Sequence, residues 1–521
     1  MSRAINREEA MVPELELSVP EKAIGLLPVV APIVGAILLI MVRIQAGRPV
    51  GFIYSDALIM LALISYICGG VLLVTNIFVK ENVLNRLGLI TVSLGYCFNL
   101  SGWMIRWIEA GDREGWKTGI NGVWRYFPLD NLYALTLGFC AGAALTTLVV
   151  IRKPKYRVLG AMSMPILVVI LALGMMLGSG ISTLPPILDS YWRPIHVSIA
   201  TLAYGVCLFS FGLAFAYLLK DGIRFEAVAL WAGLYGLLTF VMLGYGTASA
   251  FEVFRGEYTV NLLLEKNSLP LRAALPMVGP LVTITFLTLV GAIGFFALDH
   301  YKRDDKARTW GWRLFHAAVV LQAIVLLVLF FQMRNLSNPA AHIPAREYPA
   351  FSVWMSEQSQ QSVTPEQAQS WAQQNSQGLK LAMTSNPVEF GALIGLFVAL
   401  FLVALFEKKS EPLLAALPPL KNIDGLLYRT VGVAFPLLSL LLITGAVWAN
   451  ESWGRYWGWD SKEVGALVAW MSYAGFLHTR IAHGWRGRRS AYFALLGFAL
   501  VIFTWLGVSF IIPGLHSYAG V

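Results

Sequence analysis

Residues 57–79 read ALIMLALISYICGGVLLVTNIFV, an apolar run without one charged side chain. Wound as an α-helix, a run of this length reaches about 34 Å, enough to cross the ~30 Å hydrocarbon core of a bilayer. Its apolar residues are continuous rather than alternating, which excludes a transmembrane β-barrel, whose strands alternate lipid-facing and interior positions. In lipid the backbone must satisfy its own hydrogen bonds, so the run is a helix. Twelve similar runs follow the same logic, at 24–42, 87–105, 131–151, 158–178, 195–219, 228–250, 277–298, 314–333, 388–406, 430–448, 464–479 and 490–511. The sequence therefore predicts an all-α polytopic membrane protein with about 13 transmembrane helices. Composition agrees: 57% of the 521 residues are hydrophobic and 13% are charged, against about 25% charged in soluble domains. A soluble globular enzyme is excluded. Residues 1–23 are polar and of mixed charge, so no cleavable signal is expected ahead of the first span.

The net charge of +9 reads as a topology signal rather than as a nucleic-acid footprint, because Lys and Arg collect on the cytoplasmic side of membrane proteins. With the N-terminus inside, the inner segments hold 24 of the 39 Lys and Arg, and the short connections Arg152-Lys153-Pro154-Lys155-Tyr156-Arg157 and Arg486-Gly487-Arg488-Arg489 are densely basic. The expected orientation is N-terminus cytoplasmic and C-terminus outside. Cys68, Cys97, Cys140 and Cys207 all lie in apolar spans and form no CxxC pair, so they are expected to pack as small hydrophobes and to take no part in thiol exchange.

Two outer segments differ from the spans in composition. The stretch 106–130 carries Trp107, Trp116, Trp124, Tyr126 and Phe127, a density suited to a loop lying in the membrane interface. The stretch 334–387 is rich in Gln, Ser and Asn, and Thr364-Pro365-Glu366-Gln367 ahead of Ala368 and Trp371 predicts a capped short helix in a small outer domain. This domain reads either as a tolerated insertion or as a docking surface. No internal repeat suggests an inverted-repeat transporter.

A third outer segment carries the chemistry. From Trp448 to Trp459 five large aromatic residues fall within twelve positions, interrupted by Gly454 and Gly458. Aromatic belts anchor membrane proteins, and Asp460 with Glu463 has the spacing of a capping box for the next helix. Trp clustered with Gly in one loop exceeds what anchoring needs and suits a planar apolar ligand. Of the seven histidines, His196 and His516 fall at the outer ends of their spans, on the same side as this loop. Two histidines beside an aromatic platform form a bis-histidine haem site.

The stretch Trp453-Gly454-Arg455-Tyr456-Trp457-Gly458-Trp459-Asp460-Ser461-Lys462-Glu463 resembles the WWD motif of haem-handling proteins. Its continuation, with Phe476-Leu477-His478-Thr479-Arg480, Gly507-Val508 and Gly514-Leu515-His516-Ser517-Tyr518-Ala519, resembles the CcsA/ResC branch, a subunit of the System II cytochrome c synthase. Tyr191-Trp192-Arg193-Pro194-Ile195-His196-Val197 and Tyr126-Phe127-Pro128-Leu129-Asp130-Asn131-Leu132-Tyr133 fit the same branch. Two departures stand out. The family core is much shorter between His196 and Trp453, and the acidic residue that usually follows Tyr is here Ala134.

The resemblance implies a cytochrome c synthase (haem lyase) subunit. Haem b, as substrate, would move to the outer face, be ligated there by His196 and His516, and receive at its vinyl groups the two thiols of an apocytochrome c CxxCH segment. Trp448, Trp453, Tyr456, Trp457 and Trp459 would pack the ring, with Asp460 also in the catalytic set. Arg455 or Lys462 would neutralise a propionate, although both read equally as solvated rim charges. His478 would ligate iron at an inner, entry-side haem site whose second ligand comes from a CcsB/ResB-like subunit. A thiol-reducing thioredoxin-like protein and the lipid bilayer complete the implied partners, with no nucleic acid, and the implied location is the bacterial inner (plasma) membrane with the active site on its outer face. The domain reading is a cytoplasmic segment 1–23, an N-terminal transmembrane region 24–250, an inserted region 251–427 containing the outer domain 334–387, and a WWD haem-handling core 428–521. A haem transporter or chaperone serving a separate ligase is the alternative. A respiratory membrane cytochrome would want histidine pairs on facing helices within one layer, a pattern that this chain does not suggest.

Overall fold

The computed structural model describes residues 24–116, 122–176, 180–181, 189–243, 252–264, 267–335, 338–376, 379–382 and 387–508. Within these, each of the thirteen predicted spans lies on a helix. The chain runs α1 (Leu27–Ala46), α2 (Ser55–Val79), α3 (Asn82–Glu114), α4 (Leu132–Ile151), α5 (Gly160–Met176), α6 (Trp192–Lys220) and α7 (Phe225–Leu243). A hairpin of β1 (Glu257–Leu264) and β2 (Asn267–Ala274) precedes α8 (Val278–Lys302) and α9 (Asp305–Asn335). The short helices α10 (Tyr348–Ser359) and α11 (Pro365–Gln374) and strand β3 (Lys380–Ala382) follow. Last come α12 (Pro387–Lys408), α13 (Ser410–Ala416), α14 (Leu420–Trp453), α15 (Ser461–Ala482) and α16 (Arg488–Ile502). Among the described residues, eleven helices are long and apolar enough to cross a membrane. The other two predicted spans fall on α7, whose apolar stretch Phe225–Phe240 is shorter, and on α15, which includes Lys462, Glu463, His478 and Arg480. This is a multi-pass membrane protein.

Three hydrophobic cores organise these helices. The largest joins α2 to α6 with α14, α15 and α16, through buried residues such as Tyr66, Phe139, Phe209, Leu438 and Tyr473. A second unites α7, α8, α9 and α12 around Phe240, Phe296, Phe315 and Leu396. Helix α7 belongs to this second bundle, whose helices thus begin near Phe225, ahead of the boundary expected at 251. The bundle's two ends meet, for the Lys220 ammonium donates to the Leu414 carbonyl at 2.6 Å.

The third core is the small domain. Its sheet has the order β2-β1-β3, all antiparallel, with Glu257 opposite Ala274 and Asn261 opposite Ala382. Val260, Leu262 and Leu271 from the sheet pack on Phe351 and Ala368 of the two short helices. The capping box at Thr364 forms as the sequence predicts: its hydroxyl accepts from Gln367 N at 3.3 Å, and the Gln367 side-chain oxygen accepts from Thr364 N at 2.9 Å. The domain placed at 334–387 thus also includes 257–274, a sheet contribution that the all-helical expectation lacked.

The segment 106–130 needs a second correction. Residues 106–114 are not loop but the last turns of α3, which continues beyond its apolar stretch because polar partners hold it there. Arg43 donates to Asp112 at 2.6 Å and Ser55 N to Glu109 at 3.0 Å, and Gly115 then closes the helix in the left-handed region. Trp107, Trp124 and Phe127 pack on one another, Trp107 with its indole N–H donating to Val123 O at 2.8 Å. The aromatic rings pack as a cluster on the end of α3.

Candidate functional site at the aromatic loop

His196 stands in the first turn of α6. Just before it, the buried Arg193 guanidinium donates to the carbonyls of Arg125 at 2.7 Å and Phe127 at 3.1 Å, tying the 3-10 turn Gly122–Tyr126 over the start of α6. Across from His196 lies α14. Thr444 donates to Leu440 O at 2.7 Å and stands 3.2 Å from His196 Nδ1; with the hydroxyl hydrogen on Leu440 O, its oxygen accepts from Nδ1, the tautomer whose Nε2 can ligate a metal. Gly445 makes room for the ring: a Cβ there would stand 2.8 Å from His196 Cε1. Trp448, one turn further along α14, tilts against the imidazole with centroids 5.7 Å apart. Its indole N–H is buried and has no hydrogen-bond partner among the described residues.

The loop after α14 is fastened at both ends. Gly454 (φ 70°) ends α14. At the far end Asp460 and Glu463 form the capping box of α15, Glu463 also accepting from Gly458 N at 2.8 Å and Asp460 N at 3.1 Å. Between helix α4, the start of α6, the end of α14 and the start of α15 opens a cavity of about 1290 Å³ including its mouth, where His196, Trp448, Trp453, Tyr456, Trp457 and Lys462 converge. The wall is mainly apolar. Lys462 lies in the first turn of α15, ahead of the apolar span, and burial pushes its ammonium down to about 8 against the opposing pull of Asp460.

Not every predicted residue arrives here. Trp459 adopts φ 57° to turn the chain into α15, which leaves its indole 73% exposed and edge-on to Trp457 at 5.9 Å. Arg455 folds back over its own loop, its guanidinium 2.6–2.7 Å from where a Cβ on Gly458 would be. Neither lines the cavity. Asp460 is buried and its carboxylate accepts from Lys462 N at 3.2 Å, so its geometry is that of a cap. His516 lies outside the described residues. Thr444 and Gly445 escaped the sequence reading, because Thr and Gly inside an apolar span look like ordinary packing. Asp130, Asn131, Thr504 and Trp505 also line the cavity.

A family model described as cytochrome C assembly protein matches residues 231–516, which include the whole aromatic loop. The chain belongs to the CcsA family of cytochrome c assembly proteins. It is similar to the cytochrome c biogenesis protein CcsA of Nostoc punctiforme, 29% identical over 417 residues, or 79% of this chain and 82% of that relative. The CcsA proteins of Guillardia theta and Mesostigma viride are 54% and 55% identical over 99 and 98 residues, 19% of this chain and 33% and 32% of theirs. His196 falls outside the matched interval, so its place beside the CcsA loop is a finding of the fold.

The second predicted haem-ligand position sits at the opposite end of α15. His478 lies with its ring centroid 5.5 Å from that of His483, the C-cap residue of α15. One turn away Arg480 grips Asp424 of α14 through two bonds, at 2.8 and 2.6 Å. His300 ends α8. In the second bundle, His316 faces Glu407 at 3.8 Å, and His342 bonds Ala274 O in the small domain at 3.0 Å.

Proposed function

We propose that this CcsA-family protein holds haem b as substrate in the cavity at the aromatic loop and presents its vinyl groups to the CxxCH thiols of an apocytochrome c. Family membership assigns the chain to cytochrome c biogenesis. The observation that carries the finer reading is His196, set against Thr444 within an apolar cavity that Trp448, Trp453 and Trp457 line beside the half-buried Lys462. His516 is proposed as the second axial ligand, and Lys462 as the partner of a propionate.

The chemistry asks for positioning more than for acid or base groups. Each thiol adds across a vinyl group: sulfur bonds to one carbon, the hydrogen ends on the other, and no external oxidant is required. The chain's part is to fix the ring plane, exclude water with the indoles and keep the imidazole in the tautomer that ligates. A CcsB/ResB-like subunit, a thioredoxin-like reductant of the apocytochrome thiols, and an outward-facing site in a bacterial inner membrane belong to the same proposal. Co-expression with an apocytochrome, with and without a CcsB-like chain, followed by a haem stain of denatured protein, tests it. Covalent haem on the cytochrome supports the synthase reading. Haem bound to this protein with no covalent product would favour a haem chaperone instead.

A further inference from the structure

At the other end of the main bundle lies a second cavity, about 930 Å³ with its mouth, between the end of α2, the start of α3, the 3-10 segment Pro154–Leu159 and the end of α13. Leu73, Ile77 and Val158 form its apolar part. The polar lining is Asn76, Lys80, Glu81, Asn85, Lys155 and Arg157, which includes part of the basic run 152–157 that the haem reading leaves without a task.

Three polar atoms here are buried and, among the described residues, without a hydrogen-bond partner: Arg157 Nε, Asn76 Oδ1 and Asn85 Oδ1. Buried polar groups left in that state cost stability and call for an explanation, often a ligand. Among the described residues Arg157 makes no ion pair, and the charge that acts on it is another cation, Arg86. Helix α3 begins beside the cavity at Asn82 with no side chain capping it, adding orphan N–H donors. The site thus offers Arg157 and the exposed Lys80 to an anion, beside Glu81, and two amide oxygens to hydroxyl donors. It stands at the end of α2, where the apolar stretch gives out, the part of a spanning helix that meets lipid headgroups.

We propose that this cavity binds the headgroup of an anionic phospholipid of the phosphoglycerol type. Its phosphate accepts from Lys80, Lys155 and Arg157, its glycerol hydroxyls donate to Asn76 and Asn85, and its chains leave along Leu73 and Ile77. Inorganic phosphate shares the anionic part of this chemistry but not the hydroxyl donors or the chains. Basic pockets between helices are an established kind of lipid site.

The test uses the delipidated full chain in detergent, with native mass spectrometry during titration of phosphatidylglycerol, phosphatidylcholine or inorganic phosphate. Phosphatidylglycerol is expected to bind, with phosphatidylcholine and the double variant Lys155→Gln/Arg157→Gln each weakening binding about tenfold or more. The exposed Lys80→Gln should weaken it by a smaller factor without risk to folding, and phosphatidylglycerol should raise the unfolding temperature of the parent chain only. Equal binding of the two lipids, or undiminished phosphatidylglycerol binding by the variants, overturns the proposal. Displacement of the lipid by equimolar inorganic phosphate overturns it as well and leaves a simple anion site.

Discussion

Replacing Thr444 by Val separates ligand orientation from packing. The hydroxyl accepts from His196 Nδ1 at 3.2 Å while donating to Leu440 O at 2.7 Å. Valine keeps the shape, and Leu440 O can still accept from the helical N–H four residues on, so the helix itself should lose no more than roughly 0.5–1.5 kcal/mol. The imidazole loses more, since Thr444 then no longer favours the tautomer with its proton on Nδ1. Outer partners of metal-bound histidines typically govern about 10–100-fold in affinity, or about 1.4–2.7 kcal/mol. Absorbance titration of the purified protein with haem should show weaker binding in that range for Thr444→Val, nearly full recovery in Thr444→Ser, and loss of the ligated spectrum in His196→Ala. A Val variant within about twofold of the parent, beside a His196→Ala variant that has lost the spectrum, would refute the orientation argument. An unchanged spectrum in His196→Ala would remove the ligand itself.

Replacing His196 or His516 by Ala should weaken haem retention, and added imidazole should partly restore it by occupying the vacated coordination position; spectra before and after imidazole check this. Because folding lowers the Lys462 ammonium from 10.5 to about 8, the charge available to an anionic ligand disappears as pH rises through about 8. The same sign means that the fold carries the cost of a buried cation below that pH and is relieved above it. Haem affinity should therefore fall between pH 7 and 9 and lose that dependence in Lys462→Arg, as titrations at several pH values would reveal. Asp460→Asn should preserve the cap of α15, whereas Asp460→Ala should cost about 1 kcal/mol in thermal unfolding; a large loss of thioether yield in a well-folded Asn variant would give the carboxylate a further role. Cysteines engineered into 452–458 and into 483–489 should react with an impermeant label from opposite sides of the membrane. Labelling of both from one side would break the alternation of the last three helices.

The helices under the thirteen apolar runs were legible because lipid allows few alternatives to a helix, and a run of twenty apolar residues announces one. Their ends were less so. Helices α3, α9 and α14 extend well past their apolar windows, and what holds α3 there, the pairing of Arg43 with Asp112 across 69 residues, leaves no local trace. The small sheet was missed for a related reason. β1 pairs with β3 from more than a hundred residues later, and Pro270 within β2 argues against a strand when read locally. Both capping boxes were legible from spacing alone. At the site, the sequence supplied the loop and His196 as candidates, but their meeting depends on α6 packing against α14 across 248 residues. The outward turn of Trp459 depends on a single left-handed residue that the aromatic spacing does not foretell.

The contact between Lys220 and Leu414 bears on the order in which the molecule assembles. Before it forms, α6 and α14 are separated by a tether of 194 residues, and bringing such distant segments together carries an entropy that grows with the logarithm of the tether. Once α7 to α12 have collapsed and their two ends have been clasped, the effective tether shrinks to about ten residues. That shortening lowers the closure cost by about 2.6 kcal/mol. The insertion then works as a folding spacer, completed during synthesis before its last flanking helix exists, and it delivers α14 to α6 already close to its docking position. On this account a chain with the second bundle excised and a short linker in its place would still close the ligand cavity, while a chain with that bundle destabilised but retained would close it more slowly than either.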